Sequence, residues 1–139
     1  MKNLIYVVFA MILISCGDDQ LSDSIVGEWQ LLSITISSCP DSANNLPLIT
    51  ADTNGCLTAN GTNICQTVTF NADGTATNTT TTDGVVMTQE LTYTVNEDNN
   101  TITSLDASNN SNTFVVTDNT ITLINPFGDC TITSELEKQ

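Results

Sequence analysis

The sequence predicts an all-β domain of eight antiparallel strands behind an N-terminal export signal. Three observations carry that expectation. Residues 85–95, VVMTQELTYTV, alternate with period two, with Val85, Met87, Leu91, Tyr93 and Val95 set against Thr88, Glu90, Thr92 and Thr94. Such alternation buries one face of a strand and wets the other. Threonine, at home in strands, and asparagine, at home in turns, dominate the chain after residue 24, with Asp-Gly and Asn-rich punctuation at short spacing. No window shows comparable helical periodicity.

Residues 1–15 read as a signal peptide. Lys2 supplies a positive start, and residues 4–14, LIYVVFAMILI, form an unbroken apolar run. That run has the length of a signal-peptide core and falls short of the roughly 20 residues a membrane-spanning helix needs. It ends in Leu13-Ile14-Ser15-Cys16, which resembles a bacterial lipobox. The resemblance implies diacylglyceryl transfer to the Cys16 thiol, cleavage before Cys16, and a lipid anchor to the membrane there. Two or three acyl chains, at about 0.8 kcal/mol per buried CH₂, make a stable anchor. Residues 16–24 then form a lipidated tether carrying Asp18 and Asp19. Acidic residues just beyond a lipidated cysteine resemble the export tags of surface-displayed lipoproteins. The expected address is the outer membrane of a Gram-negative bacterium, lipid-anchored, with surface display and the periplasmic leaflet both open.

The domain itself spans 25–139. Residues 25–38 form the first strand. Trp29 and Leu31 share one parity and Leu32, Ile34 and Ile36 the other, which predicts a bulge. Residues 65–71 point Val68 and Phe70 one way, NADG at 71–74 reads as a hairpin turn, and 75–81 return from it. TDG at 82–84 leads into 85–95, and NEDNN at 96–100 leads into 101–105. Strands at 112–117 and 120–124 follow, with Asp118-Asn119 between them. NPFGD at 125–129 reads as a loop before the last strand, 130–136. Residues 39–64 read as one long connection containing Pro40, Pro47, Gly55 and Gly61. A long loop in a compact domain is usually functional or stapled.

Charge narrows the function. The chain has 2 Lys+Arg, no His and 16 Asp+Glu, a formal net charge of −14. Loss of Lys2 with the signal peptide would leave one lysine. Nucleic acid is excluded as a partner, because phosphate contacts need Lys and Arg. Electrostatic docking on anionic lipid head groups is unfavourable, whereas a basic protein partner suits the field. Without histidine there is no Ser-His-Asp triad, no Cys-His pair and no His-ligated zinc. The acidic residues are scattered near turns and form no matched carboxylate pair. The expectation is a non-enzyme with no catalytic residues, metal site or cofactor. DTNG at 52–55 resembles a fragment of a calcium loop but lacks its distal Glu, and it reads as a turn.

With Cys16 assigned to lipid, Cys39, Cys56, Cys65 and Cys130 remain. In an oxidising compartment they read as two disulfides, and the short spacing of a four-cysteine zinc site is missing. Cys39 ends the first strand and Cys130 begins the last. If those strands pair antiparallel the two cysteines meet at one end. That favours Cys39–Cys130, with Cys56–Cys65 clipping the long connection.

Gly27-Glu28-Trp29 matches the G-x-W signature at the start of the first lipocalin strand. IVGEWQL, then a Cys-containing loop, then TFNADGT, resembles more closely the small lipocalin-like domains of bacterial surface lipoproteins. The resemblance implies an eight-stranded antiparallel up-and-down barrel that holds a small apolar or amphipathic ligand. Such barrels are either filled by side chains or hold one small molecule. The residues expected to line the interior are Trp29, Phe70, Met87, Leu91, Tyr93 and Phe114, with Trp29 plugging one end. In lipocalins an arginine near the end of the barrel packs over that tryptophan. This chain has no Arg, so that closure is not expected. Two alternatives stand beside the barrel carrier. One is an inhibitor-like module steered by charge to a basic protein. The other is an adhesin-like β-sandwich, which would separate the first and last strands.

Overall fold

Ten strands form one antiparallel sheet that closes on itself. The computed structural model describes residues 20–139, apart from the side chain of Phe127. The segment expected to be a signal peptide, Cys16 and the Asp18-Asp19 pair lie outside the described residues. One helical turn, α1 (Leu21–Ser24), precedes β1 (Gly27–Ser37), β2 (Leu46–Thr50), β3 (Cys56–Ala59), β4 (Thr62–Phe70) and β5 (Thr75–Thr82). There follow β6 (Val85–Asn96), β7 (Thr101–Asp106), β8 (Ser111–Thr117), β9 (Thr120–Phe127) and β10 (Cys130–Lys138). Strands β4 to β10 pair in sequence, and β1 pairs antiparallel with both β10 and β4. This makes a closed eight-stranded up-and-down barrel of β1 and β4–β10. First and last strands lie side by side, so the sandwich is excluded. Cys39 is bonded to Cys130 across their ends. Cys56 is bonded to Cys65, directly opposite on the β3–β4 pair.

The β1 bulge follows from the parity change in its sequence. The register against β10 slips between Leu31 and Ser33. Leu31 faces Leu136, and after the slip Ile34 and Ile36 face Ser134 and Ile132. The extra residue, Leu32, therefore keeps apolar side chains of both parities on the same side. The β5–β6 hairpin turns on Asp83 (φ 49°) and Gly84 (φ 83°), the two left-handed positions of a tight turn.

Two expectations are corrected. The connection over 39–64 is not an unstructured loop. β1 pairs with β4 only through Gly27–Gln30 opposite Thr67–Phe70. Beyond that the seam splays: β2 takes the freed edge of β1, and β3 takes that of β4. These strands are short, and Pro47 sits within β2, so neither shows alternation. Proline is tolerated there because β2 ends the strand order. Residues 125–127, expected in a loop, continue β9 opposite Cys130–Ile132. Pro126 fits because β8 pairs β9 only as far as Leu123, leaving that edge free.

Candidate functional site

One end of the barrel is sealed. Ile25, Trp29, Phe70, Ile102, Ile121 and Leu136 are buried there. Trp29 Nε1 donates to the Ile25 carbonyl at 2.7 Å. Lys138 Nζ lies 5.7 Å from the Trp29 ring centroid and donates to the Ser24 carbonyl. The closure not expected of a chain without arginine is therefore made by a lysine on the last strand. Ammonium and guanidinium both favour the electron-rich face of an indole. Gly27 has φ +133°, and a Cβ on it would meet Lys138 Cε at 3.3 Å. The glycine of the G-x-W signature thus lets the lysine lie close.

α1 completes the seal. Glu97 accepts from the backbone N–H of Leu21 at 2.8 Å and of Ser22 at 3.0 Å. These bonds, chiefly that from Ser22, hold the Glu97 carboxyl below its usual range. Leu21 packs against the core, so the tether expected over 16–24 is docked on the barrel from Leu21 onward. Tyr93 sits at the same end, its OH donating to the Asn71 carbonyl at 2.6 Å and its ring edge-on to Phe70. Burial first, and the charge of Asp73 second, push the Tyr93 phenol up.

The opposite end holds a cup of about 240 Å³, lined by residues of β4 to β10. Val68, Leu91, Phe114, Leu123 and Leu136 form an apolar floor. Toward the mouth, the inward side chain of each of six consecutive strands changes from apolar to polar at one two-residue step. The steps are Val68 to Gln66, Ala76 to Asn78, Leu91 to Gln89, Ile102 to Ser104, Phe114 to Asn112, and Leu123 to Asn125. The result is a belt of five amides and one hydroxyl above the floor. Gln66 Nε2 donates to Asn78 Oδ1 at 3.1 Å, and Gln89 Nε2 to Asp106 Oδ2 at 3.3 Å. Asp106 also accepts from the Ser108 and Asn110 backbone N–H and the Asn110 amide, each at 2.8 Å. Asn110 contributes most to holding its carboxyl low. Ser104 is fully buried, and its Oγ has no hydrogen-bond partner.

The rim is uneven. β6 pairs with β7 only from Leu91 onward, and β8 pairs with β9 only as far as Leu123. The wall is therefore notched at the β7–β8 turn, between the taller β5–β6 hairpin and the β9–β10 hairpin.

Of the six residues expected to line the interior, Leu91 and Phe114 line the cup. Trp29 and Phe70 are buried in the sealed end, and Tyr93 is half-buried beside them. Met87 corrects the expectation, because it is 57 % exposed. It shares a strand face with Gln89 and Leu91 but stands above the rim, where β6 has no β7 neighbour. Val85 is exposed for the same reason, and Val86 because it lies on the outer face of the strand. Sequence reasoning missed the polar belt because it followed hydrophobic side chains. The usable signal was the same period of two, continued by an amide or hydroxyl. In DTNG, Asp52 Oδ1 accepts from the Asn54 and Cys56 backbone N–H at 2.9 and 3.0 Å, so its carboxylate closes its own turn.

The model of the lipocalin-like domain family matches residues 25–123, from the sealed end through the cup floor on β9. Comparison with curated proteins finds no match, and neither does comparison with solved structures. A G-x-W tryptophan under a cation, a closed eight-stranded up-and-down barrel and the matched span agree, and the chain belongs to the lipocalin-like domain family.

Proposed function

We propose that this chain is a lipid-anchored envelope lipoprotein whose barrel holds a small apolar or amphipathic molecule. The observation that carries the ligand reading is the cup, a cavity with an apolar floor and a polar upper wall inside a fold of the lipocalin-like family, generally a non-enzymatic binding fold. Small-molecule sites are typically concave and apolar, with a few placed polar groups. The anchor rests on Lys2, the apolar run at 4–14 and Leu13-Ile14-Ser15-Cys16. Docking of α1 at the sealed end adds support, because Gln20 lies at the end opposite the mouth. A chain tethered through Cys16 would present its cup away from the bilayer, consistent with display at the outer membrane.

A second reading, contact with a basic protein, is favoured by the β5–β6 hairpin. Val85, Val86 and Met87 are exposed there on a strand half without a β7 neighbour, in a chain of formal charge −14.

The test is native mass spectrometry of the mature protein purified from its own envelope, followed by organic extraction. A stoichiometric small molecule and an acylated Cys16 peptide are expected. An unmodified Cys16 overturns the anchor. An empty barrel that also binds no small apolar probe overturns the carrier and leaves the protein-contact reading.

A further inference from the structure

We propose that the cup selects an uncharged ligand, a compact apolar body bearing a neutral hydrogen-bonding group, with Ser104 Oγ as its most buried partner. The proposal rests on the reading of the cup as a small-molecule site. Ser104 is 0 % exposed, lines the cup and has no partner for its hydroxyl. Buried polar groups in native proteins are rarely left unpaired. A polar ligand atom would satisfy it where the floor meets the belt, once the belt side chains that cover its Oγ make room.

The belt excludes charge in both directions. Its amides present donors and acceptors but no formal charge. The sole Lys or Arg among the described residues, Lys138, lies at the sealed end. An anion entering the cup would meet no cation and the field of a chain at −14. A cation would find one carboxylate at the belt, that of Asp106, and each of its oxygens already accepts two N–H bonds. Oδ1 takes those of Ser108 and Asn110, and Oδ2 those of Gln89 and the Asn110 amide. Burying a charge without a partner is far costlier than burying a hydrogen-bonded neutral group. Size sets the body: 240 Å³ falls below the roughly 300–1,000 Å³ of drug-sized sites, so a single ring or short chain fits.

The experiment titrates ¹⁵N-labelled protein with four probes of one shape, namely benzene, benzamide, benzoate and benzylammonium. The side-chain NH₂ signals of Gln66, Asn78 and Asn112 are followed. Benzamide is expected to shift them and to bind at least about 10-fold tighter than either ion. Ser104→Ala should weaken benzamide about 5-fold and leave benzene unchanged. Asn112→Leu, on the strand position opposite Ser104, gives a second variant should the first fail to fold. Benzoate or benzylammonium binding as tightly as benzamide overturns the proposal. Benzene binding as tightly as benzamide, or benzamide indifferent to both substitutions, also overturns the selection but leaves a small-molecule cup. Failure of all four probes overturns the small-molecule reading and the selection together.

Discussion

Replacing Lys138 with methionine tests whether a lysine closes this barrel. Methionine keeps an unbranched apolar stem over Trp29 and removes the charge and the donor. Two interactions are lost. The ammonium 5.7 Å from the ring centroid is worth about 1 kcal/mol, between the exposed and the desolvated limits for such pairs. The bond to the Ser24 carbonyl is charge-assisted, and after discounting for partial exposure of Lys138 it contributes about 1 kcal/mol. The sum is about 2 kcal/mol. With a urea dependence of about 2 kcal/mol per molar, the unfolding midpoint falls by about 1 M. Trp29 is the chain's one tryptophan, so its fluorescence reports both unfolding and the environment of the seal. Repeating the measurement in 0.5 M salt removes the contribution of long-range repulsion from the added negative charge. Lys138→Arg should stay within about 0.5 kcal/mol of the parent, because the guanidinium can stack and donate in the same way. A methionine variant as stable as the parent, or an arginine variant as weak as methionine, would refute the cation's role in the seal.

Other consequences are checked in the same assay. Asp52, Asp73, Glu97 and Asp106 have lowered pKa values because N–H and O–H groups donate to them. Their stabilisation is full above the unfolded carboxylate values near pH 4 and is lost as pH falls through the lower folded values. Glu97→Gln should therefore flatten the acid limb below pH 4, after correction for the repulsion relieved near the pI of 4.1. An unchanged limb would remove Glu97 from the seal. Met87→Thr should alter stability by less than about 0.5 kcal/mol, whereas Leu91→Ala on the same strand should cost about 2–5 kcal/mol. Equal costs would contradict a β6 that is half rim and half core. Removing Cys39–Cys130 should cost roughly 4–5 kcal/mol and removing Cys56–Cys65 roughly 2–3 kcal/mol, from loops of 91 and 9 residues. The reverse order in paired Cys→Ser variants would count against the chain-entropy account.

The barrel was legible because its elements obey local rules. Period-two runs, Asp-Gly turns and the parity change in β1 each act within a few residues. β2 and β3 were not legible, because they are specified by the edges that β1 and β4 expose when their seam splays. That is a tertiary event with no local pattern, and Pro47 argues against a strand taken alone. Met87 was misplaced for a related reason. Alternation gives the face of a residue but not its height, and height depends on where β7 stops. Lys138 was overlooked because the resemblance directed attention to an arginine, while charge and position at the strand end already qualified the lysine. The belt could have been read. Gln66, Asn78, Gln89, Asn112 and Asn125 each stand two residues from an inward apolar side chain.

The side-by-side placement of β1 and β10 has a consequence for how the chain matures. The first strand cannot acquire its last-strand neighbour until nearly all of the sequence is present, which makes this a high contact-order, slow closure. While the chain waits, the thiol of Cys39 has a wrong partner, Cys56, only 17 residues away. Loop-closure entropy favours that encounter over the 91-residue one by about 1.5 kcal/mol. The β3–β4 hairpin, whose cysteines stand opposite each other 9 residues apart, closes sooner than either. Quenched oxidative refolding should accordingly trap the Cys56–Cys65 species first, and an early Cys39–Cys56 species would contradict this order. Once the hairpin has oxidised, in a chain whose Cys16 carries the proposed lipid, Cys39 has no free thiol left to mispair with and stays reduced until β10 brings Cys130.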